Sequence, residues 1–198
     1  VNIFVGGFTL YNPLLFNGIQ NMVYQKYYVG FLQEPDEIVS DNINNLYNII
    51  DQIDITKKIN LIGHSAGASI IYKLYSDNLD TNRYNNINSL ILCNPVDYHS
   101  GYSILTNKKF NDNCYLFDSL NDNDDFLGIE TNPAKRDYRV FMKNFQKKNI
   151  KLYNKQLKLS HNDIYDKHIA FNIGTSKNNK VNISKYCKDI NKVLLSLN

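Results

Sequence analysis

The chain has 198 residues, 43% of them apolar and 13% aromatic, which is enough for one well-buried core and too few for two independent ones. No stretch approaches the roughly 20 consecutive apolar residues of a membrane-spanning helix, and the opening VNIFVGGFTLYN lacks the basic flank and small-residue cleavage site of a secretory signal. The net charge is only +3, but residues 1 to 100 hold 5 basic and 9 acidic side chains (5 − 9 = −4) while residues 101 to 198 hold 17 and 10 (17 − 10 = +7), without the basic run of a nucleic-acid-binding chain.

VNIFVGG reads as a strand running into glycines, after which Pro13 suits the first turn of a helix reaching about Val23. KYYVGFL is a second strand, closed by Pro35. From Asp36 the apolar set Ile38, Val39, Ile43, Leu46, Ile49, Ile50 and Ile53 recurs at helical spacing. KKINLIG is a strand without polar alternation, as expected where both faces of a sheet are covered. ASIIYKLYSDN predicts a helix, INSLILCNP and NCYLF strands, NPAKRDYRVFMKNFQKKN a helix, IKLYNKQLKLS a strand and SKYCKDINKVLLSLN a closing helix. Such a strand–helix series predicts an α/β fold, a mainly parallel sheet sandwiched between helices, in one domain over 1–198. Chemistry in such sheets gathers at the carboxyl ends of the strands. The largest candidate cap, YHSGYSILTNKKFN, is too short for a large lid.

The three cysteines, Cys93, Cys114 and Cys187, form no CxxC and are odd in number, which argues against a disulfide framework and a zinc site. They read as small buried thiols in a reducing, cytoplasmic setting. Because the sequence opens on Val1, an upstream targeting segment stays open as an alternative. The abundance of Asn, Lys, Ile and Tyr, with no Trp, reads as AT-rich coding, so the Asn-rich pieces are not taken as disorder. Lys147, Lys148, Lys151, Lys155 and Lys158 would suit an anionic surface such as a membrane, but with few arginines beside them they read first as a solvated face.

The chemistry concentrates in INLIGHSAGAS, where Gly63-His64-Ser65-Ala66-Gly67 matches G-x-S-x-G directly between a buried-type strand and a helix. There a sharp turn exposes the serine hydroxyl, and the glycines answer to strained backbone angles and to close approach of helix and strand. A serine is a poor nucleophile at neutral pH and needs a base, which needs an orienting carboxylate. His64 lies inside the turn and is expected to pack, and His99 reads as a loop residue. His161 follows the last predicted strand at once, and His168 lies further on, so His161 is the expected base. DSLNDNDDF offers Asp118, Asp122, Asp124 and Asp125 as acids, and Asp97 follows the strand after the turn. Phe8, Leu10, Tyr11, Tyr98, Tyr102 and Ile104 would line an apolar acyl pocket or belong to the core.

Over nearly its whole length the chain resembles an α/β-hydrolase, and within that superfamily it is similar to the chlorophyllase and the bacterial polyester-lipase and cutinase-like branch. FVGGFTLYN resembles their oxyanion loop, GHSAGA their GHSxGG turn, LILCNPVD their Asp-Pro-Val segment, DSLNDN the GxxND turn of polyester lipases, and SHNDIYD the GHxDxxD segment of chlorophyllases. The resemblance implies Ser65 as nucleophile, Asp122 as acid, His161 as base, and the backbone N–H groups of Phe8 and Ala66 as oxyanion hole, with neither metal nor organic cofactor. Gly6 replaces a histidine of the family and Ala68 a glycine. Asn94 stands where chlorophyllases carry the acid, which leaves Asp97 as the alternative to Asp122. The implied activity is carboxylic ester hydrolysis of the lipase or esterase type; acyl thioester hydrolysis, or a hydrolase-fold binding protein without catalysis, are the alternatives. An ester with an apolar acyl group is the expected substrate, nucleic acid is not an expected partner, and oligomeric state is left open.

Overall fold

The computed structural model describes residues 1–6, 26–29, 38–64, 66–78, 81, 83–93, 113–117, 151–153 and 179–197. In chain order they form β1 (Asn2–Val5), β2 (Lys26–Val29), α1 (Ile38–Asp51), β3 (Ile59–His64), α2 (Ala66–Asn78), β4 (Ile87–Cys93), β5 (Cys114–Phe117), β6 (Lys151–Tyr153) and α3 (Asn179–Ser196). The six strands make one sheet in the order β2-β1-β3-β4-β5-β6, with every neighbouring pair parallel. The α/β architecture expected from the sequence is the one observed. The helices expected over 13–23 and 132–149, and the strand beyond Tyr153, lie outside the described residues.

Side chains on a strand alternate between the two faces of the sheet. On one face Ile3, Val5, Leu61, Leu90, Leu92, Cys114 and Leu116 join Ile43, Leu46 and Ile50 of α1 and Ala68, Ile71 and Leu74 of α2 in a single core. On the other face Phe4, Ile62, Ile91 and Phe117 are also fully buried. Burial on both faces is why β3 and β4 carry no polar alternation over their second halves. Fully burying each such side chain contributes about 1.5–3 kcal/mol.

Helix boundaries differ from the expected ones for identifiable reasons. α1 stops at Asp51 because its last turn tightens: Gln52 N–H donates to Ile49 O and Ile53 N–H to Ile50 O. Asp54 then takes over the backbone, accepting from Thr56 N–H at 2.9 Å and from the Thr56 hydroxyl at 2.8 Å. Ile53 still packs against the core from outside the helix. α3 begins at Asn179, before the expected Ser184. α2 ends where the Asn78 amide folds back to donate to Leu74 O at 2.7 Å and to the Tyr47 hydroxyl of α1 at 2.8 Å.

The amino-terminal edge of the sheet carries a buried polar ladder. Asn60 donates to Asn2 Oδ1 at 2.9 Å, and its own Oδ1 accepts from Ser89 Oγ at 2.8 Å and Asn88 Nδ2 at 3.0 Å. Asn2, Asn60 and Ser89 are each under 5% exposed. The register shift between Ile59 and Asn60 lets two successive β4 residues reach one Asn60 oxygen. Asn113 Nδ2 continues the ladder to Asn88 O at 3.0 Å. A slip of β1 or β4 by one residue would strand these amides, so the ladder specifies register as well as stabilising it.

Candidate active site

From β1 the chain moves outward to β2 and then returns to the opposite side of β1 as β3. That reversal makes the carboxyl ends of β1 and β3 the switch point of the sheet, the place where ligands bind in sheets of this kind. Val5 and Gly63 are register partners there, and the β1 strand ends in buried Gly6. β3 ends at His64 and α2 begins at Ala66, so a single residue, position 65, joins strand to helix.

The two glycines of the motif are explained by the space around them. A Cβ on Gly63 would meet Ala68 Cα at 2.6 Å, Ala68 N at 2.7 Å and Gly67 O at 2.7 Å, all backbone atoms of the first turn of α2. A Cβ on Gly67 would run into the carbonyl oxygens of Val5 and Gly6 and stand 2.8 Å from Val5 C. The first glycine thus lets α2 fold back onto β3, and the second lets α2 rest on the end of β1. Neither glycine adopts a left-handed backbone, so close approach, rather than the strained angles also expected from the motif, accounts for them.

Ser65, Phe8, Asp122, His161 and the alternative acid Asp97 lie outside the described residues, as do His99, His168 and Asn94. Ala66 is described as the first residue of α2, where backbone N–H groups have no acceptor within the helix and the helix dipole is positive. No acidic side chain in the first turn of α2 offsets that field. The expected acid and base follow β5 and β6 in the chain, and the expected oxyanion loop follows β1; these strands run parallel to β3, so all their carboxyl ends share one edge. What went unread in the sequence is the approach of Gly6 to Gly67, although the Gly6-Gly7 pair closing β1 was its visible signal.

His64 is 1% exposed, in keeping with the packed role expected for it. Cys93, its register partner at the end of β4, is fully buried, and Cys114 is buried at the start of β5. Burial pushes the Cys114 thiol well above its ordinary range, which keeps it protonated and a poor nucleophile. Burial, and secondarily Cys114, likewise raises the Tyr72 phenol. Among the described residues no group of His, Cys, Asp and Glu is arranged to hold a metal ion, and no helix is long and apolar enough to cross a membrane.

No protein-family model matches the chain, and no curated protein sequence matches it. Solved structures do. One, described as a YdeN-like hydrolase from Pectobacterium atrosepticum, superposes with a TM-score of 0.65 at 13% identity over 99% of this chain and 91% of its own. Est1E from Butyrivibrio proteoclasticus, solved with ferulic acid bound, superposes with a TM-score of 0.50 at 12% identity over 96% of this chain and 88% of its own. At such identities the likeness is one of fold alone, the α/β arrangement described above.

Proposed function

We propose that the chain is a serine hydrolase of carboxylic esters, folded as one domain over residues 1–198, with Ser65 as nucleophile, His161 as base and Asp122 as acid. The observation that carries the reading is the packing at Gly63 and Gly67, which fits a one-residue strand-to-helix link at the sheet's switch point. The hydrolase fold of the structural neighbours supports it.

In the proposed reaction His161 accepts the Ser65 hydroxyl proton as Oγ attacks the ester carbonyl. The tetrahedral oxyanion accepts hydrogen bonds from the backbone N–H groups of Phe8 and Ala66, each worth about 3–4 kcal/mol in the transition state. His161 then gives its proton to the departing alkoxide, leaving an acyl-Ser65. Water, deprotonated by His161, attacks the acyl carbon, and the returning proton restores Ser65. Asp122 orients the imidazole and stabilises its charged form, with Asp97 as the alternative acid. The chlorophyllase and polyester-lipase branch, an apolar acyl group and a soluble, cytoplasmic location complete the reading, with contact to an anionic membrane surface as the alternative to a solvated lysine face. The bound ferulic acid of Est1E makes aromatic-acid esters worth testing beside aliphatic ones.

A fluorophosphonate probe tests the proposal on the native chain and on Ser65→Ala, His161→Ala, Asp122→Asn and Asp97→Asn. Native labelling that is abolished by the Ser65 and His161 changes sustains it, and the aspartate change that slows labelling names the acid. A folded native chain that neither labels nor turns over short, long or aromatic esters overturns it.

A further inference from the structure

We infer that His64 is a positioning residue that fixes the angle at which the chain leaves β3; the inference rests on the serine-hydrolase reading above. His64 is the last residue of β3 and 1% exposed. Gly63 presents its Cβ direction to α2, and strand side chains alternate, so the His64 ring occupies the opposite face of the sheet. There it stands in register with Cys93 on β4, which is in turn in register with Phe117 on β5; both neighbours are fully buried. The end of β3 is therefore held from both sides, by the first turn of α2 against Gly63 and by this row of side chains on the other face.

An aliphatic side chain would fill the same place without needing polar partners. An imidazole buried to this degree must satisfy its N–H, and the partner that does so fixes the orientation of the ring. His64 does interact with its surroundings through a polar or ring contact, and its burial requires that the N–H be met. A wedge anchored by packing and by a directional contact resists rotation of the strand end about its axis. That rotation would swing the next residue, Ser65, relative to α2 and to whatever acyl group is bound. Loosening the wedge should slow attack and leave ground-state binding nearly unchanged.

The test compares the native chain with His64→Phe, His64→Asn and His64→Gln. The readouts are the fluorophosphonate labelling rate per folded molecule, with the folded fraction from far-UV circular dichroism, and KM for an ester substrate. Phenylalanine keeps the volume and removes the polar contact; the two amides each keep a donor near one of the ring nitrogens. The expected result is a labelling rate lower by roughly tenfold or more for His64→Phe, KM changed by less than about twofold, and recovery to within about threefold of native by one amide. A folded His64→Phe chain labelling at the native rate overturns the inference. So does an equal loss in all three variants, which marks packing alone. Should His64→Phe fail to fold, the amides decide: a clear difference between them sustains the inference and equality overturns it. A native chain that does not label sinks the hydrolase reading first, and this inference with it.

Discussion

Gly63→Ala puts one methyl group into a space that does not exist. Ordinary van der Waals contact begins near 3.4 Å, whereas the new Cβ would meet Ala68 Cα at 2.6 Å and two further backbone atoms at 2.7 Å. The shortfall is 0.8 Å (3.4 − 2.6) and 0.7 Å (3.4 − 2.7), and no side-chain rotation relieves it. Either the first turn of α2 lifts off β3 by that amount or the strand end bends. Moving α2 also disturbs its seat on Val5 and Gly6, so relief at one contact loosens the other. Overpacking of this kind costs about 1–3 kcal/mol, and an all-backbone obstacle puts Gly63→Ala near the upper end. Equilibrium urea unfolding followed by circular dichroism measures it. Displacement of the strand-to-helix link by most of an ångström should also lower the fluorophosphonate labelling rate of the folded variant by roughly 10²-fold. A Gly63→Ala chain within about 0.5 kcal/mol of native stability would refute the close-approach reasoning whatever the chemistry proves to be.

Three further outcomes are expected. Asn60→Leu withdraws the partner shared by Asn2, Asn88 and Ser89 and should destabilise by about 2–4 kcal/mol in urea unfolding, while labelling of the folded molecules stays at the native rate because the ladder lies at the far edge of the sheet. Cys93 and Cys114 should resist maleimide modification in native buffer and react only on unfolding, which peptide mass spectrometry reads residue by residue. Hydrogen bonds from the Thr56 backbone and hydroxyl hold the Asp54 carboxyl below its ordinary range. Asp54 therefore adds stability above the unfolded-state carboxylate pKa, and that contribution disappears as pH falls through its lowered folded-state pKa. Asp54→Asn should flatten that part of the acid limb in a pH series of unfolding midpoints, and an unchanged limb would count against the turn's role.

The strands were legible because their burial is two-sided. The short apolar runs Leu61-Ile62 and Leu90-Ile91-Leu92, bounded by turn residues, suit a covered sheet, and the apolar spacing of Ile43, Leu46 and Ile50 marked α1 as plainly. Boundaries were less legible, since side-chain periodicity runs past the hydrogen bonds that end a helix. Ile53 keeps the apolar rhythm yet sits beyond the turn that Asp54 builds. The glycine spacing around Ser65 was readable as a close approach, but its second contact, with β1, joins residues some 60 positions apart, and the Gly6-Gly7 pair that signals it does not say which segment it meets. The abundance of asparagine reads as coding bias. Asn2, Asn60 and Asn88 nevertheless share a pattern, each following Val or Ile at the first or second position of a strand, and that repetition is the available signal for the ladder.

The ladder separates two tasks along the same strands. At the amino edge, amide pairs such as Asn60 with Asn2 decide which residues of β1, β3 and β4 stand opposite each other; at the carboxyl edge, the proposed function draws its chemical groups from the connecting segments. Information about alignment is thus stored away from information about substrate. On that proposal, a substitution in the segment after β4 or β5 stands at the other end of the strands from the Asn2, Asn60 and Ser89 hydrogen bonds. Selection can explore new substrates at one end of the molecule while the other end keeps the frame.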